Sequence, residues 1–257
     1  MLLSSKHALI FAATGGIGSQ VARTFAREGA HVWLLARNQV AVESLAVAIV
    51  AEGGTATAHL VDATDPLAIE AYVARVAADA GRIDATFNAI GQAPSELAYP
   101  AVSTTQPMDD FMRPLNVIMG STFLTSRAVG ARMVEQGYGS IVTLSATLSG
   151  MTAGYMAGIS AACGAIEALT RSLAGEFGPA GVRVNCVRGN AMIETRTIQE
   201  TGAGLARLGA APTMVPSPLG RPITTGETAA TAAFLASDYA SGLTAQVVTV
   251  SAGAFVD

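Results

Sequence analysis

The chain has 257 residues, of which 51% are hydrophobic and 13% are charged, and its net charge is −4. The length and the absence of a linker predict one α/β domain over residues 1–257, and the scattered arginines argue against a nucleic-acid partner. No apolar run approaches the roughly 18 residues that cross a bilayer, and the start of the chain lacks a signal-peptide core, so we expect no membrane partner and a cytoplasmic protein.

Apolar runs typical of buried strands alternate with segments of helical periodicity. In chain order, the predicted strands are 7–12, 30–36, 55–61, 85–89, 140–145, 182–187 and 246–250, and the clearest predicted helices are 16–28, 39–52, 66–80 and 153–177. Parallel strands need long crossover connections, which helices supply. The pattern therefore predicts a Rossmann-type, doubly wound sheet of seven parallel strands with helices on both faces.

The segment 190–218 follows neither periodicity. Glycine and proline interrupt it at Gly202, Gly204, Gly209, Pro212, Pro216 and Pro218. A long irregular segment in a compact domain is usually functional or disordered. We interpret this segment as a lid over a small-molecule substrate.

The first predicted strand runs into a glycine-rich turn, Gly16-Ile17-Gly18, and then into a helix. Such a turn lets the backbone approach a dinucleotide pyrophosphate, and helix NH groups bind it. A turn kept only for packing is the alternative. Two stretches, Ala13-Thr14-Gly15-Gly16-Ile17-Gly18 and Ala168-Leu169-Thr170-Arg171-Ser172-Leu173-Ala174, resemble the short-chain dehydrogenase/reductase family, including its 3-oxoacyl-ACP reductase-like members.

Arg37 follows the second strand, where NAD-binding sheets place an acidic residue for the ribose 2′-hydroxyl. A guanidinium suits a 2′-phosphate, so NADP(H) is favoured; an exposed arginine at a helix start is the other interpretation. The resemblance implies further cofactor contacts from Asp62, from the turn Asn88-Ala89-Ile90-Gly91 and from Thr195. The chain departs from the family pattern at Ala12, whose Cβ is expected to crowd the turn.

In the family that the chain resembles, a tyrosine protonates the substrate and a lysine four residues later lowers the phenol's pKa from about 10. The stretch ISAACGAIEALT follows the family motif and places Ile159 at the tyrosine position and Cys163 at the lysine position. The orienting serine falls on Ala146, whereas Asn116 matches the asparagine that holds a relay water. Lys6 is the only lysine, and none of the five tyrosines has a cation four residues later.

Two residues are candidates to replace the missing groups. Tyr155, predicted one helical turn before Ile159 on the same face, brings a phenol near the site or simply lines it. Ser145 adjoins the vacant serine position, although hydroxyls at strand ends also commonly form turn bonds. Cys163 is expected to be a buried thiol without a basic neighbour. Arg188 either holds an anionic substrate or covers the edge of the site.

Three functions fit this pattern. The first is an NADP(H)-dependent oxidoreductase that reduces an imine, an iminium or an activated alkene without the tyrosine–lysine acid. The second is a non-catalytic subunit of a hetero-oligomer with an active paralogue, and the third is a redox-neutral enzyme of elimination or cyclisation. The low charged fraction predicts surface buried between subunits, and we expect a homodimer or homotetramer unless a paralogue is the partner.

Overall fold

Seven parallel strands form one sheet in the computed structural model, which describes residues 1–211 and 216–256. The strands are β1 (His7–Phe11), β2 (His31–Ala36), β3 (Thr55–Leu60), β4 (Ala85–Asn88), β5 (Gly139–Ala146), β6 (Val182–Gly189) and β7 (Val247–Val250). Their order across the sheet is β3-β2-β1-β4-β5-β6-β7. The predicted Rossmann-type fold is confirmed, and each predicted strand overlaps an observed one.

Helices cover both faces of this sheet. They are α1 (Gly16–Arg27), α2 (Gln39–Ala51), α3 (Pro66–Ala80), α4 (Met108–Pro114), α5 (Gly120–Gln136), α6 (Ala157–Phe177), α7 (Arg196–Arg207) and α8 (Thr225–Ala236), with a π-helical turn, Leu115–Met119, between α4 and α5. α1, α2 and α8 pack on one face, and α3, α5 and α6 pack on the other. No helix in the described part of the chain has the length and apolar character to cross a membrane.

The side chains of β1 show why both faces are covered. Ala8 and Ile10 join the core under α1, α2 and α8, whereas Leu9 and Phe11 join the opposite core. All four are fully buried, because a central strand of a parallel sheet has neither face in water. The uninterrupted apolar run of this strand follows from that position.

Polar side chains fix the starts of several helices. Asn38 and Asp65 accept hydrogen bonds from first-turn amides of α2 and α3, at 3.0 and 2.9 Å. Thr224 and Glu227 form a reciprocal capping box at the start of α8, which satisfies two otherwise unpaired amides. At the start of α1, by contrast, Gly15 provides no side-chain cap.

The segment predicted to be irregular contains a helix, α7. Gly202 and Gly204 lie inside that helix, although a glycine in a helix costs about 1 kcal/mol relative to alanine. At Gly204 the reason is close packing, because an added Cβ would lie 2.6 Å from the Cδ atom of Pro100. The segment 190–218 was predicted to be irregular, and this prediction is wrong for residues 196–207, which form α7. Pro212, one of the prolines on which the prediction was based, lies outside the described residues.

Candidate active site

A cavity of about 1190 Å³ extends along the carboxyl ends of the strands. Segments that follow β1 to β6 contribute to its wall, together with α6 and α7. Open parallel sheets bind their ligands at this edge. We call the part lined by Gly15, Gly16, Ile17, Arg37 and Asp62 the glycine-turn end, and the part lined by Leu97, Tyr99, Met156, Ile159, Cys163 and Leu205 the apolar end.

The turn between β1 and α1 forms one wall of the glycine-turn end. Gly16 and Ile17 line the cavity, and the first-turn NH groups of α1 have no side-chain cap, as an anion-binding helix start requires. Gly18 does not line the cavity. A Cβ at Gly18 would lie 2.3 Å from the carbonyl oxygen of Ala12, so this glycine allows α1 to pack against the end of β1.

Ala12 combines backbone strain with a position in the wall. Its φ is 55°, in the left-handed region that costs a residue with a Cβ about 1–2 kcal/mol. Ala12 also lines the cavity. The residue at which the chain departs from the family pattern is therefore strained and lies in the cavity wall.

Opposite charges lie together at the glycine-turn end. Arg37 is exposed after β2, and Asp62 is partly buried after β3. Burial alone would raise the pKa of the Asp62 carboxyl, but hydrogen bonds from the amide and hydroxyl of Thr64 and the charge of Arg37 lower this pKa overall. This end therefore offers a cation and an ionised hydrogen-bond acceptor side by side.

The other residues predicted to contact a cofactor differ in their placement. Gly91 and Thr195 line the cavity. Asn88 is buried behind the wall, where its side-chain amide donates to the Thr125 hydroxyl and its side-chain oxygen accepts from the Ile90 amide, both at 2.8 Å. Asn88 therefore holds the turn after β4 in place and does not line the cavity.

The apolar end is the region to which the sequence motif assigned the catalytic tyrosine and lysine. Ile159 and Cys163 are only 7% and 4% exposed, and both belong to a hydrophobic cluster on the cavity wall. Burial raises the pKa of the Cys163 thiol to about 12. The thiol is therefore neutral near pH 7 and lacks thiolate reactivity, and the expected burial of Cys163 is confirmed.

A buried ion pair lies next to this wall, between α6 and β6. Arg188 donates to both carboxylate oxygens of Glu167, at 2.8 and 2.7 Å. Ser145 and Ser149 donate to the same carboxylate at 2.8 and 2.6 Å. Burial alone would raise the pKa of Glu167, but the bonds from Arg188 and the two serines lower this pKa overall.

This ion pair fixes the side chains of two residues that the sequence analysis named as candidates, Ser145 and Arg188. Ser145 lines the cavity, but its hydroxyl proton is directed to Glu167 and not to a ligand. Arg188 does not line the cavity; it is 7% exposed, and its guanidinium lies 5.1 Å from the centre of the Phe255 ring. The structure places the Arg188 guanidinium behind the cavity wall, bonded to Glu167, so neither interpretation of this arginine is supported.

Asn116 lies in the π-helical turn between α4 and α5. It is exposed and does not line the cavity, whereas Ile118 of the same turn does. A π-helical turn holds an extra residue and changes which side chains face inward. The structure therefore does not bring the predicted catalytic asparagine into the cavity.

Tyr155 precedes α6, which begins at Ala157 and not at 153. Its φ is 64°, its side chain is exposed, and its carbonyl oxygen accepts a bond from the Ala101 amide at 2.9 Å. Tyr155 does line the cavity. Its predicted position one helical turn before Ile159 is wrong, because a left-handed residue cannot continue a right-handed helix.

Comparison with known proteins assigns the chain to a family. The sequence profile of a family described as enoyl-(acyl carrier protein) reductase matches residues 11–254. The chain belongs to the short-chain dehydrogenase/reductase family. One relative of this short-chain dehydrogenase/reductase is D-threitol dehydrogenase from Mycolicibacterium smegmatis, which is 30% identical over 251 residues, or 98% of this chain and 93% of the relative.

Two solved structures share the fold and contain different nicotinamide cofactors. NAD⁺-bound xylitol dehydrogenase has a TM-score of 0.89 and 27% identity, and the match covers 98% of this chain and 100% of that one. A candidate NAD(P)-dependent gluconate 5-dehydrogenase from Beutenbergia cavernae, with NADP at low occupancy, has a TM-score of 0.83 and 29% identity over 98% and 97%. The short-chain dehydrogenase/reductase assignment made from the sequence motifs is thus confirmed.

Sequence reasoning does not identify two important residues of this short-chain dehydrogenase/reductase. Glu167 lies inside the motif that aligns the catalytic positions, and its only sequence signal is Arg188, a charge within an apolar strand that needs a buried partner. Tyr99 lines the apolar end. No local pattern marks it, because it reaches the cavity from the loop between β4 and α4.

Proposed function

We propose that this short-chain dehydrogenase/reductase is an NADP(H)-dependent oxidoreductase that delivers hydride to an imine, an iminium or an activated alkene. The observation that carries the proposal is the contrast between the two ends of the cavity. The glycine-turn end offers an uncapped helix start and Arg37. The apolar end has Ile159 and Cys163 where a carbonyl reductase of this family needs a phenol and a lysine.

Arg37 supports NADP(H) as the cofactor. A guanidinium forms strong charge-assisted hydrogen bonds with a phosphate, whereas an acidic residue at this point would accept from a ribose 2′-hydroxyl. Arg37 lines the cavity directly after β2. We assign Asp62, with its lowered pKa, to the adenosine part of the same cofactor, and the backbone around Gly16, Ile17 and Gly91 to the remaining cofactor contacts.

The proposed chemistry does not require a protein acid. When bound, NADPH supplies a hydride from its nicotinamide ring and becomes NADP⁺. An iminium carbon that accepts hydride becomes part of a neutral amine and needs no proton. An imine or activated alkene needs one proton, which we assign to water, because Lys6 is the chain's only lysine and binds Asp238 outside this cavity.

The alkene version of the proposal has independent support. The matched family profile is described as an enoyl reductase, and enoyl reduction adds hydride to an activated alkene. In this proposal Ser145 holds the Glu167 carboxylate in position, because its hydroxyl donates a hydrogen bond to that carboxylate. Tyr155 contributes the solvent-exposed part of the wall, and Asn116 lies outside the cavity.

A non-catalytic subunit of an oligomer is the second candidate, and one observation favours the oligomer. A Cβ added to Gly164 or Gly175 on α6 would meet no atom within 4 Å, so this helix surface can accept a closely packed partner helix. We propose a homodimer or homotetramer, or a hetero-oligomer with an active paralogue. Native mass spectrometry of the complex from the source cell tests this proposal. A single subunit mass supports a homodimer or homotetramer, and two different subunit masses support the hetero-oligomer.

The cofactor assignment is tested by titrating the purified chain with NADPH and with NADH. Trp33, the only tryptophan, reports binding through energy transfer to the reduced nicotinamide. We expect NADPH to bind at least about tenfold more tightly, and Arg37→Ala to remove most of that difference. Arg75→Ala, an exposed arginine on α3 outside the cavity wall, is the control and should change neither affinity. Failure of both nucleotides to bind would overturn the proposed function.

A further inference from the structure

Aliphatic side chains form much of the wall of the apolar end. Its lining includes Leu97, Ile118, Leu148, Met156, Ile159 and Leu205. Burying apolar surface contributes roughly 25 cal/mol per Å². A hydroxyl moved from water onto such a wall without a hydrogen-bond partner costs a few kcal/mol instead, so this end selects against polyhydroxylated ligands.

Among the described residues of the cavity wall, the charged side chains either belong to the glycine-turn end or are exposed to solvent. Arg37 and Asp62 belong to the glycine-turn end. Glu96 is exposed, and Arg196 has an 80% exposed side chain that pairs with Glu200. An ionised ligand therefore meets no buried countercharge at the apolar end, and its desolvation would not be compensated.

Tyr99 brings a buried phenol into this wall. Tyr99 is 8% exposed and packs in the same cluster as Cys163. Burial raises the pKa of the Tyr99 phenol above its usual range; Cys163 and Glu200 act in the same direction, and a hydrogen bond between the Tyr99 and Thr201 side chains opposes them. The phenol thus keeps its proton and can donate a hydrogen bond. The neighbouring Pro100 packs against Gly204 of α7, which holds this loop in place.

We propose that the substrate is a bulky, uncharged and mainly apolar α,β-unsaturated carbonyl compound, and that the Tyr99 hydroxyl donates a hydrogen bond to its carbonyl oxygen. This inference rests on the proposed function, because it selects one substrate class among those that the hydride could reduce. The proposed substrate differs from the compounds in the names of the relatives, because threitol, xylitol and gluconate are polyhydroxylated.

The reaction balances with the groups already named. Hydride adds to the β carbon, and the electron pair of the C=C bond moves toward the carbonyl to give an enolate. The enolate oxygen accepts the hydrogen bond from Tyr99, and a proton from water then goes to the α carbon. The alkene gains two electrons and two hydrogens, and the nicotinamide loses two electrons.

Competition with a neutral fluorescent probe, N-phenyl-1-naphthylamine, measures ligand binding at the apolar end. In the native chain saturated with NADP⁺, we expect the bicyclic enone 2-octalone and its hydrocarbon octalin to displace the probe. Xylitol and gluconate should not displace it at concentrations about a hundredfold higher. Tyr99→Phe should weaken 2-octalone about 3- to 10-fold, as the loss of one hydrogen bond predicts, and leave octalin unchanged.

Tyr239→Phe is the matched control, because this phenol is 78% exposed and lies outside the cavity wall; it should change neither affinity. The inference is overturned if the probe does not bind, if xylitol or gluconate displaces it, or if Tyr99→Phe weakens both octalone and octalin equally or neither. The NADPH titration is independent of this assay. Probe binding without NADPH binding would overturn the proposed function alone, and NADPH binding with failed competition would overturn only the substrate class.

Discussion

At the scale of single residues, Ala12 connects backbone strain to cofactor affinity. The chain leaves β1 at this residue with φ 55°, a conformation that glycine adopts at no steric cost. The same residue lines the glycine-turn end of the cavity. The strain therefore arises from a single methyl group at the cavity wall.

Ala12→Gly should make the chain more stable and tighten NADPH binding. Relief of about 1–2 kcal/mol of strain exceeds the roughly 0.4–1 kcal/mol that glycine adds to unfolded-state entropy, so we expect a net gain of about 0.5–1 kcal/mol in urea denaturation. Ala252→Gly, at φ 53° outside the cavity wall, should give a similar gain in stability without a change in affinity. Equal NADPH affinity in native and Ala12→Gly protein would contradict this account.

The buried Glu167 predicts a specific pH dependence of stability. Its pKa in the folded chain is lowered from the ordinary 4.5, so its stabilising contribution is complete above about pH 4.5 and is lost as the pH falls through the lower folded value. Glu167→Gln should cost about 3 kcal/mol at pH 7, because Arg188 loses its buried carboxylate partner. The variant should also lose less stability than the native chain between pH 5 and roughly pH 3.

Urea denaturation at several pH values measures both effects. Glu135→Gln is the control, because its pair with Arg132 is on the surface, with the Glu135 side chain 69% exposed, and it should change stability by less than about 1 kcal/mol. The same acid sensitivity in native and Glu167→Gln protein would show that Glu167 is not the responsible group.

At the scale of elements, the strands and the first three helices could be predicted because their burial leaves a local pattern. β1 is a continuous apolar run since both of its faces are covered. α7 could not be predicted in the same way, because its Gly204 is explained by a contact with Pro100, about a hundred residues earlier. The Glu167–Arg188 pair is also a contact between distant positions, and no periodicity identifies such pairs.

Gly204→Val tests the packing of α7 over the apolar end. The new side chain would meet Pro100, where even a Cβ lies at 2.6 Å, so it should displace the loop that carries Tyr99. We expect weaker N-phenyl-1-naphthylamine binding with unchanged NADPH affinity. Ala206→Val introduces the same side chain at an exposed position of the same helix and should change neither. Equal probe affinity in the two variants would show that this contact does not shape the cavity.

At the scale of the whole molecule, the chain keeps the architecture of its family. The sheet and helices set this architecture, whereas Ile159, Cys163 and Ala146 lie in the wall of the cavity that it carries. The cavity could therefore acquire carbonyl chemistry without a change of fold. Function in such a family resides in the site and not in the scaffold.

The variant Ile159→Tyr/Cys163→Lys/Ala146→Ser should therefore gain NADPH-dependent reduction of simple ketones. We also expect a loss of a few kcal/mol in stability, because the new lysine replaces a thiol that is only 4% exposed. Ile159→Phe/Cys163→Met/Ala146→Ser is the control of similar size without the phenol oxygen and the ammonium group, and it should remain inactive. NADPH binding without ketone reduction in the first variant would mean that the catalytic positions are assigned incorrectly.

The central claim is that hydride transfer here needs an activated acceptor and no tyrosine–lysine acid. The most direct measurement is transfer of deuterium from 4-deuterated NADPH, separately for each stereoisomer, to 2-octalone, to a cyclic iminium and to the saturated 2-decalone, followed by mass spectrometry. The account predicts deuterium in the product from the enone, the iminium or both, and none from the saturated ketone. Bound NADPH that transfers deuterium to none of them, or that transfers it to the saturated ketone, would contradict this expectation.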